Sequence, residues 1–573
     1  MNGMNIHDEL HNLFAPALQA LELDPGGLVF EFPSDMEHGD FSTNIAMRYA
    51  KPLGKNPLDL AREIVAGVPA SAWVSGLEAV APGFINITLK PEVFSDMLGV
   101  IREQRESYGS NDQLAGQKIM VEYTDPNPFK VFHIGHLMTN AHGEALARLY
   151  ESCGADVVRA NYQGDVGPHV AKAIWGMQQL AIEMPADDAP LTERTAYLGR
   201  AYAYGATHYK EDASIKETID TLNKTIYEES DAEIMVLYTK GRVWSLEHFE
   251  VLYSWLGTTF DHYFFESEVW RRGMGIVQEY LTKGVFDESG GAIIFPGEKY
   301  GLHTRVFISG RGLPLYEAKD IGLNVIKFEK EPDLDKSIIV TANEQSSYFA
   351  VVTKALEMIN EHVGTRTHHF DHGMMKFPEG KMGSRTGNVI TGESLLYGMK
   401  ELATAKMQGH VPEGVDTEEL GISVGVAAIK FIILKQAAKK DIIFDREAAL
   451  SLEGDTGPYV QYTHARCQSL LTKGAYLMVD VVALPEQWET LEVEKLLMRF
   501  PTVIAGSLKD NAPHHITTYL LELSRSFNSW YSNSHIINEE DTSSAYKLAI
   551  VKAVSIVVQR GLWMLGIEAP ERM

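Results

Sequence analysis

The amino-acid sequence predicts an α/β fold, in which a doubly wound parallel-sheet domain lies between an N-terminal α+β domain and a C-terminal all-α helical bundle. Three observations predict this arrangement. A chain of 573 residues is too long for one hydrophobic core, a strand–helix–strand pattern begins near residue 118, and amphipathic helices dominate after about residue 440. We place the domains at 1–112, 113–445 and 446–573.

The N-terminal part combines helical periodicity with strand-like runs. Apolar residues recur at helical spacing in IHDELHNLFAPALQALEL and NPLDLAREIVAGV, whereas LVFEF and GFINITL are typical of strands. A polar, glycine-containing stretch, NDQLAGQ, follows before the next apolar run. The pattern therefore predicts a small α+β domain that ends near residue 112.

The central part opens with a βαβ pattern. KIMVEY is a short apolar run of the kind that forms a buried parallel strand, HLMTNAHGEALARLYESCG reads as a helix that stops at Gly154, and DVVRANY reads as the second strand. Ligands of such sheets bind beyond the carboxyl ends of the strands, where loops meet helix N-termini. Residues of about 175 to 265 are mostly helical and charged, which predicts an insertion that supports the sheet.

The C-terminal part carries long amphipathic segments, including PYVQYTHARCQSLLTKGAYLM, ITTYLLELSRSFNSWYSN and SAYKLAIVKAVSIVVQRGLWMLGI. Strand signals fade in the same region. These segments predict a helical bundle.

Composition narrows the class of protein. With 45% hydrophobic and 22% charged residues, and no run of roughly 18 uncharged apolar residues, the chain should be globular and should not associate with a membrane. Its amino terminus lacks the features of a signal peptide, so we expect a cytoplasmic protein. Cys153 and Cys467 are too few for a disulfide framework or a cysteine-rich zinc site, and we expect no structural zinc.

The formal net charge of −26 opposes non-specific attraction to nucleic acid. Any RNA contact must therefore be local. One candidate is the lysine set at 435, 439 and 440, which falls near one face of the predicted helix GVAAIKFIILKQAAKK; a solvated helix face is an equally good interpretation.

The sharpest local feature is the tetrapeptide HIGH, His133 to His136, at the turn between the first strand and the first helix of the sheet. There Gly135 allows a nucleotide to approach the backbone, and the two imidazoles can donate hydrogen bonds to phosphate oxygens as the α-phosphorus is attacked. The turn therefore predicts adenylyl transfer. The alternative is a pair of surface histidines that cap a helix.

A second feature is the glycine-rich basic loop KMGSRTGN, from Lys381 to Asn388. Such a loop can close over a triphosphate, and its cations can offset charge on the departing pyrophosphate. Taken alone, the string could also be any basic turn.

The two features together resemble the HIGH and KMSKS signatures of class I aminoacyl-tRNA synthetases. Five segments resemble the arginyl family, in that family's order: VEYTDPNPFKVFHIGHL, RANYQGDVG, GRGLPLYEAKD, TANEQSSYF and KMGSRTGNV. GDFSTNIAM and APGFINITL are similar to its N-terminal tRNA-contacting module, and GDTGPYVQYTHAR opens what resembles its helical anticodon-binding domain. The resemblance covers nearly the whole chain.

The resemblance implies an arginine–tRNA ligase. Such an enzyme activates L-arginine with ATP, which carries Mg²⁺, and transfers it to the 3′-terminal ribose of tRNA(Arg). The arginine carboxylate attacks the α-phosphorus directly, so no protein nucleophile is needed. The expected partners are tRNA(Arg), L-arginine and ATP, and we expect a monomer.

Site residues follow from the same resemblance. The catalytic set is His133, His136, Lys130, Lys381 and Arg385. The ATP-binding set is Gly135, Met375, Lys381 and Ser384. The arginine-binding set is Glu122, Asn127, Tyr316, Asp320 and Gln345, with Asn161 and Asp165 at the pocket floor. The tRNA-binding set is Asn86, Tyr459, Gln461, Tyr462, Arg466, Tyr531 and Met573.

Side-chain chemistry supports the arginine pocket, because a guanidinium is best held by planar carboxylates and hydrogen-bond acceptors. The resemblance gives that role to Glu122 and Asp320. Tyr316 and Asp320 are four residues apart on a predicted helix, so they could instead be a core aromatic beside a solvated acid.

Two departures from the family pattern affect the site. Ser384, followed by Arg385, replaces the second lysine of KMSKS, and Lys130 could supply the missing cation. The segment ISGRGLPLY stands where the family usually has an acidic glycine turn. The rival interpretation is a catalytically silent paralogue that binds tRNA or arginine; a free-standing adenylyltransferase would leave the C-terminal bundle without a purpose.

Overall fold

The computed structural model describes residues 6–33, 35–378, 390–409, 411, 413–478 and 483–573. The N-terminal part contains α1 (Ile6–Ala20), β1 (Phe41–Thr43), α2 (Ile45–Leu53), α3 (Pro57–Gly67), β2 (Val74–Val80), β3 (Phe84–Leu89) and α4 (Pro91–Gln104). Its three strands form an antiparallel sheet in the order β1–β3–β2.

One predicted strand of this part is wrong. The run LVFEF makes a single antiparallel bridge, between Glu31 and Ser42, and no regular strand. The partner strand β1 is only three residues long, so the extended run has few backbone groups with which to pair.

The central part contains two sets of elements. The first set is β4 (Lys118–Glu122), α5 (Ile134–Ser152), β5 (Asp156–Gln163), α6 (Pro168–Gln179), α7 (Leu191–Glu211), α8 (Ala213–Glu228), α9 (Ala232–Trp255), β6 (His262–Phe265) and α10 (Glu266–Thr282). The second set is β7 (Asp287–Ser289), β8 (Ala292–Phe295), β9 (Arg305–Ile308), α11 (Tyr316–Lys330), β10 (Lys336–Ala342), α12 (Ser346–Ile359), α13 (Glu361–Arg366), β11 (Thr367–His372), β12 (Met375–Lys376), α14 (Gly392–Met407), α15 (Thr417–Leu434) and β13 (Ile442–Ile443).

Five of these strands form one parallel sheet in the order β11–β10–β4–β5–β6, which confirms the predicted fold class. From the central strand β4 the chain winds outward through β5 and β6, and it returns to the other side of β4 for β10 and β11. Glu122 at the end of β4 is in register with Ala160 of β5 and Ile339 of β10. The winding direction therefore reverses between β4 and β10, where ligands of such sheets bind.

Helices α6 to α9 form the predicted helical insertion. Their apolar faces enclose a cluster that includes Trp175, Tyr197 and Trp244. A small antiparallel sheet, β7–β8–β9, precedes α11 and leads the chain back to the parallel sheet.

The C-terminal part is helical, as predicted. Its elements are α16 (Arg446–Ala449), α17 (Gly457–Lys473), α18 (Glu492–Asp510), α19 (His514–Asn533) and α20 (Ser544–Met564). No helix within the described ranges combines the length and apolar content that a membrane crossing requires.

The predicted basic helix face does not form. Helix α15 ends at Leu434, so the three lysines that follow do not share one helix. Lys435 pairs with Asp455 at 2.9 Å, and Lys439 pairs with Asp371 at 2.9 Å. Each of these two lysines therefore has an acidic partner within the chain.

Candidate active site

The turn between β4 and α5 carries two histidines whose rings stack. His133 is the N-cap residue of α5, and its backbone N–H donates to Nδ1 of His136 at 3.1 Å. The two ring centroids are 3.5 Å apart. A Cβ on Gly135 would lie 2.9 Å from Cε1 of His133, so glycine is what lets this ring fold back over the start of the helix.

Both imidazoles are held in the neutral form. Burial lowers the pKa of His136 well below its usual range, and the neighbouring His133 and Lys130 add to the shift. Burial and the charge of Lys130 also lower the pKa of His133. Because Nδ1 of His136 accepts a hydrogen bond, its proton must sit on Nε2. A neutral ring of this kind can donate to a phosphate oxygen.

Lys130 lies in the same turn, three residues before His133. Its backbone N–H donates to the carbonyl of Asn127 at 3.2 Å, and its side chain is partly buried. Burial lowers the pKa of Lys130, although Glu266 raises it. The ammonium of Lys130 therefore lies near the two histidine rings and is only partly hydrated.

One face of helix α11 is lined by buried polar side chains. Asp320, Asn324 and Lys327 follow at spacings of four and three residues, which places them on one side of the helix. Asn324 and Lys327 are fully buried, and Asp320 is 9% exposed. Polar groups rarely line the buried face of a helix without a specific task.

Lys327 neutralises Glu122. Its Nζ lies 2.6 Å from Oε2 of Glu122, and both side chains are buried. The carboxylate that sequence analysis placed against the guanidinium of arginine therefore already has an internal cation as its partner. Lys327 was missed in the sequence, although its seven-residue spacing from Asp320 placed it on the same helix face.

Asp320 forms no ion pair with another described residue, although the charge of Lys327 acts to lower its pKa. The hydroxyl of Tyr348 donates to its Oδ2 at 2.5 Å. Burial raises the pKa of Asp320 to about 7; the hydrogen bond from Tyr348 opposes this shift, and the nearby Glu122 adds to it. Asp320 is thus a buried acid whose ionised form a nearby cation would stabilise.

Asn127 and Asn161 fix the loops that follow β4 and β5. Oδ1 of Asn127 accepts the backbone N–H of Gly164 at 2.8 Å, and Nδ2 of Asn161 donates to the carbonyl of Tyr123 at 3.1 Å. Asn161 is fully buried. The two amides thereby hold the ends of neighbouring strands at a set distance.

Asp165 is fully buried and fully engaged. It accepts the hydroxyl of Tyr238 at 2.7 Å and the backbone N–H of Ser267 at 2.9 Å, and Nε of Arg242 lies 3.2 Å away. Its carboxylate therefore joins the helical insertion to α10.

Tyr316 and Gln345 are both exposed. Tyr316 is the first residue of α11 and is 63% exposed, and Nζ of Lys319 lies 5.3 Å from its ring centroid. Gln345 is exposed in the turn after β10. The alternative interpretation, a core tyrosine beside a solvated acid, is wrong because Tyr316 is exposed and Asp320 is buried.

Four further residues were predicted to contact ATP or its departing pyrophosphate. Lys381, Ser384 and Arg385 lie outside the described residues. Met375 lies in β12, where its side chain is buried in the main core. That side chain is therefore not available to a nucleotide.

An aromatic patch on α17 and α19 brings four predicted tRNA-contacting residues together. The guanidinium of Arg466 lies 4.8 Å from the ring centroids of both Tyr462 and Tyr531. Arg466 also donates to the amide oxygen of Asn528, whose Nδ2 donates to the hydroxyl of Tyr459 at 3.1 Å. A stacked cation between partly exposed rings is suited to unstacked bases.

Gln461 does not belong to that exposed patch. Its side chain is fully buried, and Nε2 donates to the carbonyl of Glu568 at 2.8 Å and to Oγ of Ser423 at 3.2 Å. It therefore holds the C-terminal segment against α17. Met573, at the end of that segment, is partly buried against the core.

Asn86 is placed away from these sites, in the central strand β3 of the N-terminal sheet. It lies opposite Ser42 of β1 and Glu78 of β2 and is buried.

Comparisons with family models cover almost the whole chain. Residues 100–446 match the model described as tRNA synthetases class I (R), catalytic domain. Residues 8–89 match an arginyl tRNA synthetase N terminal domain, and residues 460–573 match a DALR anticodon binding domain.

Individual proteins agree. An arginine–tRNA ligase of Clostridium beijerinckii is 30% identical over 96% of this chain and 97% of its own, and one of Treponema pallidum is 30% identical over 98% of each. The solved structure of Thermus thermophilus arginyl-tRNA synthetase has a TM-score of 0.78 at 23% identity, covering 99% of this chain and 100% of that one. The Plasmodium falciparum enzyme has a TM-score of 0.75 at 20% identity, covering 99% of each chain. At these identities the two structures show the shared fold.

A catalytic-domain model that spans more than half of the chain decides the class, which is that of the class I aminoacyl-tRNA synthetases, a group of ligases. The relatives extend the agreement to both ends of the molecule, and the chain belongs to the arginyl-tRNA synthetase family.

Proposed function

We propose that the chain activates arginine with ATP at the β4–α5 turn and then transfers it to the 3′ end of tRNA(Arg). One observation carries this assignment to particular residues: Asp320, a buried acid without an ion pair among the described residues, lies near Glu122 at the end of β4, and β4 leads into the turn of the two stacked histidines. The acid suits a cationic amino acid, and the histidines suit a phosphate.

Asp320 is the proposed partner of the arginine guanidinium. A guanidinium presents a planar set of N–H donors, and a carboxylate is its best acceptor. Tyr348 orients the acid through its hydrogen bond, and Tyr316 and Gln345 stand at the entrance. Because Lys327 neutralises Glu122, this residue would shape the pocket and position its ligand without adding net charge.

Activation then joins the arginine carboxylate to the α-phosphorus of ATP and releases pyrophosphate. Asn127 stands between the pocket and the signature turn, where the α-amino or carboxylate end of arginine would lie. His136 and His133 donate to phosphate oxygens as negative charge develops, and Lys130 adds a cation three residues away. Mg²⁺ carried by the nucleotide would offset charge on the β- and γ-phosphates.

Transfer requires the single-stranded 3′ end of the tRNA to reach this turn. Five basic side chains lead to it: Lys130, Lys172, Lys210, Lys216 and Arg311. Two of them lie near the ring of Tyr209, whose centroid is 4.1 Å from Nζ of Lys172 and 5.7 Å from Nζ of Lys216, and the charge of Arg311 also acts on this tyrosine. None of the five forms an ion pair with another described residue. In a chain of net charge −26, this cluster is a local phosphate-binding path with a stacking ring.

The opposite end of the tRNA would meet the patch of Tyr462, Arg466 and Tyr531. Rings beside a polar cation stack on unpaired bases and bind their edges. In this proposal, one tRNA contacts the chain at two places, with its anticodon at the aromatic patch and its acceptor end at the basic cluster, as charging requires.

Release of AMP from α-labelled ATP tests the proposal. The wild-type chain should release AMP when arginine and tRNA(Arg) are both present. His136→Asn should lower the rate of activation by roughly 100-fold, because it removes a donor aimed at developing charge. His368→Asn, an exposed histidine of β11, is the matched control and should keep the full rate.

Each outcome decides a different point. A wild-type chain that binds arginine and tRNA without releasing AMP would be a silent paralogue and would end the proposal. Undiminished activity of His136→Asn, with arginine binding intact, would remove the signature histidines from the mechanism.

A further inference from the structure

We propose that His248 is a positioning residue for activation, because it holds the start of helix α14 against the signature turn of His133 and His136. His248 belongs to none of the predicted site sets, and the role proposed for it rests on the proposed function of that turn. The contact joins α9, the last helix of the insertion, to α14, which follows the basic motif at 381–388 along the chain.

One face of α9 lies against the segment that leads into the signature turn. Gly241, Ser245 and His248 follow at spacings of four and three residues, which places them on one side of the helix. A Cβ on Gly241 would lie 2.1 Å from Cε1 of Phe129, and Oγ of Ser245 accepts the backbone N–H of Phe129 at 3.0 Å. The backbone of Phe129 is left-handed, with φ of 64°. This face of α9 therefore holds the residue before Lys130 in a conformation that bulky side chains rarely adopt.

The first turn of α14 lies against the signature turn itself. A Cβ on Gly392 would lie 2.6 Å from the carbonyl oxygen of His133, so the two backbones approach each other closely. The backbone N–H of Glu393 donates to the carbonyl of Phe132 at 3.2 Å. A shift of this end of α14 would therefore move the backbone that carries the two signature histidines.

His248 and Glu393 join these two supports. Nε2 of His248 lies 3.2 Å from Oε2 of Glu393. His248 is buried, and no described group makes a regular hydrogen bond with its Nε2, so the Glu393 carboxylate is the polar group that this nitrogen meets. A buried polar pair is often no more stabilising than apolar side chains of similar volume, but it requires one relative position of its two elements. The pair therefore fixes where α14 begins relative to α9.

The same contact borders the cation of the signature turn. His248, Glu393 and Lys130 line one cleft of about 320 Å³, together with Phe129 and Ser245. Groups that stabilise a transition state must be held precisely, because a displacement of about 1 Å can lower a rate about 100-fold. His248 therefore acts through the position of the turn, without contacting a substrate.

Activation by His248→Leu and Glu393→Leu tests this role. The rate of AMP release by the full chain, with arginine and tRNA(Arg) present, should fall about tenfold in each, and the arginine KM should change less than about twofold. The double variant should lose about as much as either single one, because both changes remove the same contact. His248→Gln, whose amide can still donate to Glu393, should recover at least about a third of the wild-type rate.

Glu247→Gln is the matched control. Glu247 is the neighbouring residue of α9 and pairs with Arg194 of α7 at 2.7 Å, so its substitution should leave the activation rate unchanged. Full activation by His248→Leu, or additive losses in the double variant, would overturn the proposal. A parallel loss of arginine binding would also overturn it, because His248 would then support the fold in general.

Should His248→Leu fail to fold, Glu393→Leu is compared with Glu393→Gln, which can still accept a hydrogen bond from His248. The glutamine variant should keep most of the rate that the leucine variant loses, and equal losses would overturn the proposal. A wild-type chain that releases no AMP would instead contradict the proposed function of the signature turn.

Discussion

Arginine binding should weaken as the pH falls from 8 to 6. Asp320 is buried without a cation, and its pKa is raised to about 7. The guanidinium binds the ionised carboxylate, so protonation competes with the substrate. Because the folded-state pKa is raised, the competing proton is bound below pH 7 and is lost above it.

The size of the effect follows from the titration. When only the ionised form binds, the apparent dissociation constant is the intrinsic one multiplied by 1 + 10^(pKa − pH). With a pKa of about 7 this factor is about 11 at pH 6 and about 1.1 at pH 8, so binding weakens about tenfold.

Calorimetric titration of the full chain with arginine at several pH values measures this directly. Asp320→Asn, which can still accept the Tyr348 hydrogen bond, should bind weakly and with a flatter pH profile. It should also melt higher than the wild type at pH 8, since a raised carboxyl pKa means that stability is lost as the pH rises through it, and this gain should vanish near pH 4. Wild-type affinity that is constant from pH 8 to 6 would refute the reasoning.

Three further substitutions test other parts of the account. Gly135→Ala should lower the activation rate roughly 100-fold with an unchanged arginine KM, because its Cβ displaces the stacked signature ring; an unchanged rate would contradict the role of that stack. Arg466→Ala should raise the KM for tRNA about tenfold and leave the arginine KM unchanged, whereas Tyr476→Ala, an exposed tyrosine elsewhere in the C-terminal part, should change neither. Lys327→Met should cost roughly 3–5 kcal/mol in thermal or urea unfolding, and adding Glu122→Gln should restore much of it; full additivity of the two losses would exclude the buried pair.

The strongly periodic elements of the fold could be predicted from the sequence. Strands β4 and β5 and helix α5 have clear apolar patterns and lie close together along the chain, so local reasoning is enough. The run at Leu28–Phe32 looked equally strand-like but makes one bridge, because strand formation depends on the length of a distant partner. The predicted helix over 425–440 instead ends at Leu434, and Lys435 and Lys439 beyond it pair with Asp455 and Asp371 on other parts of the chain.

The candidate site divides in the same way. The signature turn of His133 and His136 is local, and its motif lies between the first strand and the first helix of the sheet, as the sequence predicts. The ion pair between Lys327 and Glu122 joins elements that are far apart in sequence, so no local motif around either residue predicts it. The burial of Gln461 likewise depends on a carbonyl of the C-terminal segment. Motifs locate such a site, and packing decides which of its charges are free.

Aminoacylation of total tRNA with each of the twenty labelled amino acids, with and without ATP, tests the central claim most directly. The account predicts ATP-dependent incorporation of arginine alone. Incorporation of a different amino acid, or of none while tRNA and arginine still bind, would contradict it.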